Sequence, residues 1–282
     1  MKIVKDIPDL RIFLTSVHVP GTSLGFVPTM GALHEGHLSL AKESIKNNDI
    51  TVCSIFVNPT QFNNPDDLLH YPKSPEEDIR MLEEIGCDAV FVPDNQMMYP
   101  EPAVISFNIG YLDTILEGKF RKGHFNGVAL IVSKLFNIVR PDNAYFGQKD
   151  LQQFVILNRL VKDLSYPINM VRMPIVREPD GLAMSSRNRR LNKEERKNAL
   201  AFYQALKLAQ ENLQSGQTVN NTKSEVADFF QKQNKVKLEY FEIVDAETLL
   251  DVKEPFGGRE VALVIAGYVG EVRLIDNFII RI

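Results

Sequence analysis

The sequence predicts an α/β protein: a doubly wound parallel sheet over residues 1–176, followed by a smaller α+β domain over residues 177–282. Three observations point there. The first part alternates short β-branched runs with amphipathic helices, the pattern of parallel strands joined by crossover helices. One run, Ile50-Thr51-Val52-Cys53-Ser54-Ile55-Phe56-Val57, has no charged residue and suits a strand covered on both faces. Beyond Arg177-Glu178-Pro179-Asp180-Gly181 the order changes to helices followed by alternating strands.

Taken in order, Ser23-Leu24-Gly25-Phe26-Val27 is the strand that ends in the first polar cluster, and a helix is expected over 38–48. The continuous strand 50–57 follows. Ser74-Pro75-Glu76-Glu77 marks a helix start, with a capping hydroxyl, proline at the first position and acids in the first turn. That helix should end near Gly86 and lead into a strand at 88–93. Residues 125–139 read as a largely apolar, buried helix. A short strand at 143–146, a helix at 149–162 and a strand at 168–176 complete the first domain. In the second, 192–213 reads as one long charged helix opening on Glu194 and Glu195. A helix at 222–232 precedes three strands, 237–244, 261–268 and 271–280, the last two joined by a turn at Gly270.

Composition narrows the function. The chain of 282 residues is 44% hydrophobic and 24% charged, with a net charge of −4. A nucleic-acid surface would normally be basic, so a nucleic-acid partner is not expected. The two cysteines, Cys53 and Cys87, lie in or beside apolar runs and read as buried reduced thiols. No uninterrupted apolar run reaches membrane-spanning length; Glu271, Arg273 and Asp276 break the nearest, at 261–282. The amino-terminal residues carry acid and proline too early for a signal peptide, so a cytoplasmic location is expected.

Five polar clusters carry the chemistry. The first is Pro28-Thr29-Met30-Gly31-Ala32-Leu33-His34-Glu35-Gly36-His37, where a strand gives way to a helix. A helix start offers unpaired N–H groups and a partial positive charge, and histidines donate to phosphoryl oxygens. The second, Phe56-Val57-Asn58-Pro59-Thr60-Gln61-Phe62, should aim Asn58 and Gln61 into the same crevice. The third, from Lys119 to Gly127, sets three cations and His124 before the buried helix, an arrangement that suits a bound anion. The fourth, Phe146-Gly147-Gln148-Lys149-Asp150-Leu151-Gln152-Gln153, puts a lysine at another helix start, with Asp150 placed to cap the helix or touch a ribose. The fifth is Gly181-Leu182-Ala183-Met184-Ser185-Ser186-Arg187-Asn188. It reads by itself as a Ser-rich interdomain turn and, with the others, as a clamp for a polyphosphate.

Together, in wording and order, these clusters resemble the pantothenate synthetases (pantoate–β-alanine ligases), nucleotidylyltransferases that share the His-x-Gly-His signature with class I aminoacyl-tRNA synthetases. The resemblance covers nearly the whole chain and implies a Rossmann-like first domain. It also implies a two-step reaction, in which ATP and (R)-pantoate give pantoyl adenylate and pyrophosphate, and β-alanine then displaces AMP. Position by position, it places Met30, Gly31, Ala32, Leu33, His34, Glu35, Gly36 and His37 in the ATP site, His34 and His37 on the phosphates and His37 as proton donor. Gly147, Gln148, Lys149 and Asp150 would hold nucleotide, with Lys149 on the phosphates, and Val176 would offer its backbone to adenine. Met184, Ser185, Ser186 and Arg187 would stand where the synthetases have Lys-Met-Ser-Lys-Ser, with Ala183 and Ser186 replacing both lysines. Charge must then come from Arg187 and Lys149. Gln61 would touch pantoate and β-alanine, and Gln153 pantoate.

The resemblance further implies Mg²⁺ on the departing pyrophosphate, without a dedicated protein metal cage, and a homodimer formed through the first domain. Other readings share parts of this pattern. A cytidylyl- or adenylyltransferase for a phosphorylated substrate would not need Asn58, Gln61 and Gln153. A tRNA synthetase would need a basic RNA-binding region. A non-catalytic nucleotide sensor would not need the full set of histidines, Lys149 and Arg187.

Overall fold

The computed structural model describes residues 1–254 and 258–282. The chain forms two compact units: residues 1–147 with 156–174, and residues 148–155 with 175–282.

The first unit contains β1 (Lys2–Val4), α1 (Ile7–Val17), β2 (Leu24–Thr29), α2 (Glu35–Asn47), β3 (Ile50–Ile55), α3 (Pro65–Leu69), α4 (Pro75–Glu84), β4 (Ala89–Phe91), α5 (Asn95–Met98), α6 (Leu116–Phe120), α7 (His124–Val139) and β5 (Asn143–Gly147). The helix α8 (Leu151–Asp163) starts in the second unit and runs into the first, which closes with β6 (Asn169–Met173). The expected parallel sheet is present: six strands in the order β1-β4-β3-β2-β5-β6, with every neighbouring pair parallel. β3 is buried along its whole length, as its uncharged sequence requires. From β2 the chain steps through β3 to β4 on one side, and β5 and β6 lie on the other. The topological switch point therefore falls between β2 and β5, and sheets of this kind bind ligands beyond the carboxyl ends of such strands.

The second unit contains α9 (Lys193–Asn198), α10 (Leu200–Gln214), α11 (Val219–Gln231), β7 (Val236–Asp245), β8 (Glu260–Val269) and β9 (Val272–Arg281). Its three strands form an antiparallel sheet in the order β7-β8-β9. Phe202, Leu206 and Leu213 of α10 and Val226 and Phe230 of α11 share one core with Ile243, Leu263 and Ile265 of the sheet. Among the described residues no helix is long and apolar enough to cross a membrane.

Four local expectations are corrected. The helix expected from Leu38 begins at Glu35, because His34 acts as its N-cap, a role in which histidine is uncommon. Ser74 makes no side-chain cap; its hydroxyl donates instead to Asp78 Oδ1 at 3.1 Å. The helix expected from Lys149 opens with a 3₁₀ turn at Gln148–Asp150. The single helix expected over 192–213 is two, α9 and α10. α9 buries none of its residues, whereas α10 buries an Ala- and Leu-rich face in the core, and the two are divided at Ala199, whose backbone stays in the helical region at φ −61° and ψ −20°. Cys53 and Cys87 are buried free thiols, as expected.

One buried carboxylate shapes the loop after β2. Asp78 of α4, 1% exposed, accepts from Ala32 N and Leu33 N, each at 2.8 Å. Gly31 beside them has φ +80°, and a Cβ there would lie 2.9 Å from Asp78 Oδ2, so glycine is required. Asp78→Ala would leave two buried N–H groups unpaired and should lower unfolding free energy by about 3 kcal/mol in urea titrations. Asp78→Asn, which keeps an acceptor, should lose less. Equal stability of all three proteins would show that the carboxylate does not hold the loop.

Candidate functional site

At the start of α2 the two histidines hold each other's backbone. Gly36 N donates to His34 Nδ1 at 3.1 Å, and His34 N donates to His37 Nδ1 at 3.3 Å. Their ring centroids are 4.0 Å apart. Since both Nδ1 atoms accept, each neutral ring carries its proton on Nε2. Two Nε2–H donors thus sit at a helix N-terminus, where the dipole adds positive potential.

The other residues of the loop divide their work. Ala32 and Leu33 are buried, and their N–H groups are committed to Asp78. Glu35 is exposed and pairs with Lys42 Nζ at 3.1 Å. Met30 touches the second cluster, its Sδ lying 2.9 Å from Gln61 Nε2.

That second cluster is a short 3₁₀ turn, Pro59–Gln61, entered from Asn58. Asn58 is 1% exposed and its amide has only one possible orientation. Its Nδ2 donates to the Gly127 carbonyl at 3.2 Å and to Gln61 Oε1 at 3.1 Å. Its Oδ1 accepts from Tyr99 OH at 2.9 Å and from Thr60 Oγ1 at 3.0 Å. Burial pushes the Tyr99 phenol up, which favours the protonated, donating form. With Gln61 Oε1 turned to Asn58, the Gln61 NH₂ is the end left facing Met30.

The third cluster separates on folding. Arg121 pairs with Glu117 at 3.8 Å, so a carboxylate of the chain itself answers part of its charge. His124 is buried and belongs to the second cluster: its Nδ1–H donates to the Gln61 carbonyl at 2.7 Å. Gly127 allows α7 to lie against the 3₁₀ turn, because a Cβ there would meet Thr60 O at 2.2 Å. In the first unit, then, the clusters at 30–37, 58–62 and 121–128 meet around Gln61.

In the second unit, Lys149 lies in the turn before α8, its Nζ 3.9 Å from Asp150 Oδ2, and Gln153 is half-buried one turn on. Val176 and the 184–187 stretch form one hairpin: Met184 N donates to Val176 O at 3.0 Å, and Arg177 bridges Ala183. Ser185 caps the 3₁₀ helix Ser186–Arg190, taking Arg187 N on its hydroxyl at 3.2 Å, and Ser186 is buried. Among the described residues no three His, Cys, Asp or Glu side chains gather as metal ligands. The chemistry on offer is donation and charge for an anionic ligand. Asp78, Tyr99 and the buried role of His124 escape sequence reading, since each acts through a partner distant in the chain.

The sequence matches the family described as Pantoate-beta-alanine ligase over residues 2–279. A pantothenate synthetase of Bacteroides thetaiotaomicron is 48% identical over 277 residues, covering 98% of each chain. The solved pantothenate synthetase of Thermus thermophilus superposes with a TM-score of 0.92 at 40% identity, covering 99% of each chain. A pantoate–β-alanine ligase of Francisella tularensis, solved with β,γ-ATP and β-alanine, superposes with a TM-score of 0.81 at 34% identity, over 99% of this chain and 97% of that one. With agreement in sequence and in fold from end to end, the chain belongs to the pantoate–β-alanine ligase family of enzymes.

Proposed function

We propose that this ligase works through two half-reactions: ATP and (R)-pantoate give pantoyl adenylate and pyrophosphate, and β-alanine then displaces AMP to give pantothenate. The observation that carries the reading is the donor pair at the start of α2, where both Nδ1 atoms accept backbone N–H groups and the neutral rings carry their protons on Nε2, the kind of donor that suits phosphoryl oxygens. The ligands named for the Francisella relative agree with it.

A carboxylate attacking the α-phosphate brings two anions together, so donors and cations must offset their repulsion as charge develops. We assign this to His34, His37, Lys149 and Arg187, with residues 30–37, Gly147–Asp150, Val176 and 184–187 holding ATP. Gln61 and Gln153 hold pantoate, and Gln61 also borders β-alanine. The Gln61 amide, oriented by Asn58, offers N–H to a carboxylate or hydroxyl. Mg²⁺, bound mainly by pyrophosphate oxygens and water, would supply further neutralisation. The mixed anhydride is labile to water, which favours a lid role for residues 177–282 over a nucleotide- and pantoate-binding domain of residues 1–176. The partners are small molecules, without nucleic acid or membrane, in the cytoplasm. The reading extends to a homodimer through the first domain, where Val104 and Ile105, 95% and 74% exposed, offer apolar surface.

With pantoate and no amine, the enzyme should release pyrophosphate from ATP; orthophosphate and ADP would mean an acyl phosphate and sink the scheme. His37→Ala and Lys149→Ala should each slow pantoate-dependent pyrophosphate exchange by roughly a hundredfold, about 3 kcal/mol of barrier, with little change in melting temperature. Exchange within a few-fold of wild type would reject these roles. Gln61→Ala should weaken use of pantoate and β-alanine and leave ATP affinity nearly intact; an equal loss in calorimetric ATP titrations without pantoate would contradict its assignment.

A further inference from the structure

The second unit contains a buried polar cluster that neither half-reaction uses. Asp276 and Asn277 of β9 are 4% and 2% exposed. Arg177 grips the Asp276 carboxylate with both ends of its guanidinium, NH1 at 2.7 Å and NH2 at 2.9 Å. The guanidinium lies 5.1 Å from the Tyr203 ring centroid and 4.8 Å from that of Phe278. Burial pushes the Asp276 carboxyl up, and Arg177 opposes that shift. A pair this enclosed is a costly arrangement unless each partner is fully engaged.

Each partner reaches one of the two nucleotide segments of this unit. Asp276 Oδ1 accepts from the Asn277 backbone N–H at 2.7 Å, which fixes the Asn277 backbone. The Asn277 side chain then donates through Nδ2 to Gln148 O and to Lys149 O, both at 3.0 Å, and accepts from Gln148 Nε2 at 3.1 Å. All three polar contacts of that amide go to the turn that bears Lys149. From the other side, Arg177 NH1 donates to Gly181 O at 3.0 Å, inside the hairpin that carries Val176 and Met184. A flexible lysine gains little from its own rotamers; its usefulness depends on where its backbone is held.

We infer that Asn277 is a positioning residue for the adenylation step, clamping the carbonyls of Gln148 and Lys149, with the Arg177–Asp276 pair as the anchor common to the Lys149 turn and the 176–187 hairpin. This rests on the reading of Lys149 as a phosphate-binding residue.

The test is a double-mutant cycle in pantoate-dependent ATP–pyrophosphate exchange. Asn277→Asp keeps the size and the acceptor for Gln148 and removes both donors. It should lower kcat roughly ten- to a hundredfold, the scale of a displaced catalytic group. In a Lys149→Ala background the same change should lower kcat less than about threefold, because the residue acts through the lysine. Asn277→Ser keeps one donor and should lose less, with the same absence of effect on Lys149→Ala, so the test survives if the aspartate variant fails to fold. A merely structural role would lower melting temperature while leaving kcat per folded molecule unchanged, and would overturn the inference. So would equal losses with and without the lysine. Near-normal exchange by Lys149→Ala alone would overturn the reading of the lysine itself, and the inference with it.

Discussion

The parallel register of β2 against β3 is the constraint from which the site in the first unit follows. Six successive pairs run from Leu24 opposite Ile50 to Thr29 opposite Ile55, and Phe56 N continues the ladder to Thr29 O at 3.0 Å. Thr29 also donates through its hydroxyl to Ser54 O at 2.8 Å, locking the last rung. The two loops therefore leave the sheet at the same level, and Met30 and Gln61 meet. A slip of one residue would turn every side chain of one strand to the other face. It would also carry the histidine loop away from the amides. The histidine loop and the amide turn are coupled by backbone hydrogen bonds before any side chain is considered.

Within that frame the polar residues fall into two groups. Asp78, Asn58, Tyr99 and His124 are buried or half-buried, and their hydrogen bonds end on the chain itself. A buried donor or acceptor left unpaired costs about 1–3 kcal/mol, so each of these groups is tied to one geometry. Gln61 is the hinge between the groups: its carbonyls, side-chain and backbone, point to Asn58 and His124, and its NH₂ is directed elsewhere. Preorganised donors of this kind need no rearrangement when charge develops, which is where most electrostatic catalysis comes from. Asn277 follows the same rule in the second unit, with backbone carbonyls as its targets.

How much was legible in the sequence follows from the range of each interaction. Periodicity marked the parallel strands, the buried helix α7 and the three-stranded antiparallel sheet, because each is a local pattern. The His-x-Gly-His motif marked the helix start, although imidazole capping placed that start at Glu35 rather than Leu38. What stayed hidden depends on partners far along the chain. Asp78 lies 46 residues from Ala32, and in the sequence it looks like one more acid in a helix start. His124 lies 63 residues from Gln61, and beside Arg121 and Lys122 it passed for part of a basic cluster. The division at Ala199 was invisible because that residue keeps helical backbone angles, so the helical period runs on through it. That residues 148–155 pack with 175–282 was hidden for the same reason: the contacts of Asn277 span more than a hundred residues.

The imidazole geometry also bears on how the two rings can act. A histidine cation at the start of α2 would oppose the helix dipole, and a proton on Nδ1 would remove the acceptor that Gly36 N or His34 N requires. His34 and His37 therefore serve best as neutral donors through Nε2–H. A donor of that kind would stabilise charge on a ligand oxygen by hydrogen bonding, with the dipole of α2 adding positive potential. In the scheme proposed above, full positive charge comes from side chains outside that helix start, where it does not disturb a cap. Lys149 is one, half-buried on a 3₁₀ turn whose carbonyls are held by Asn277. Arg187 is another, its backbone N–H fixed by Ser185. Under that scheme the helix start keeps its cap, and the cations the reaction needs come from elsewhere in the chain.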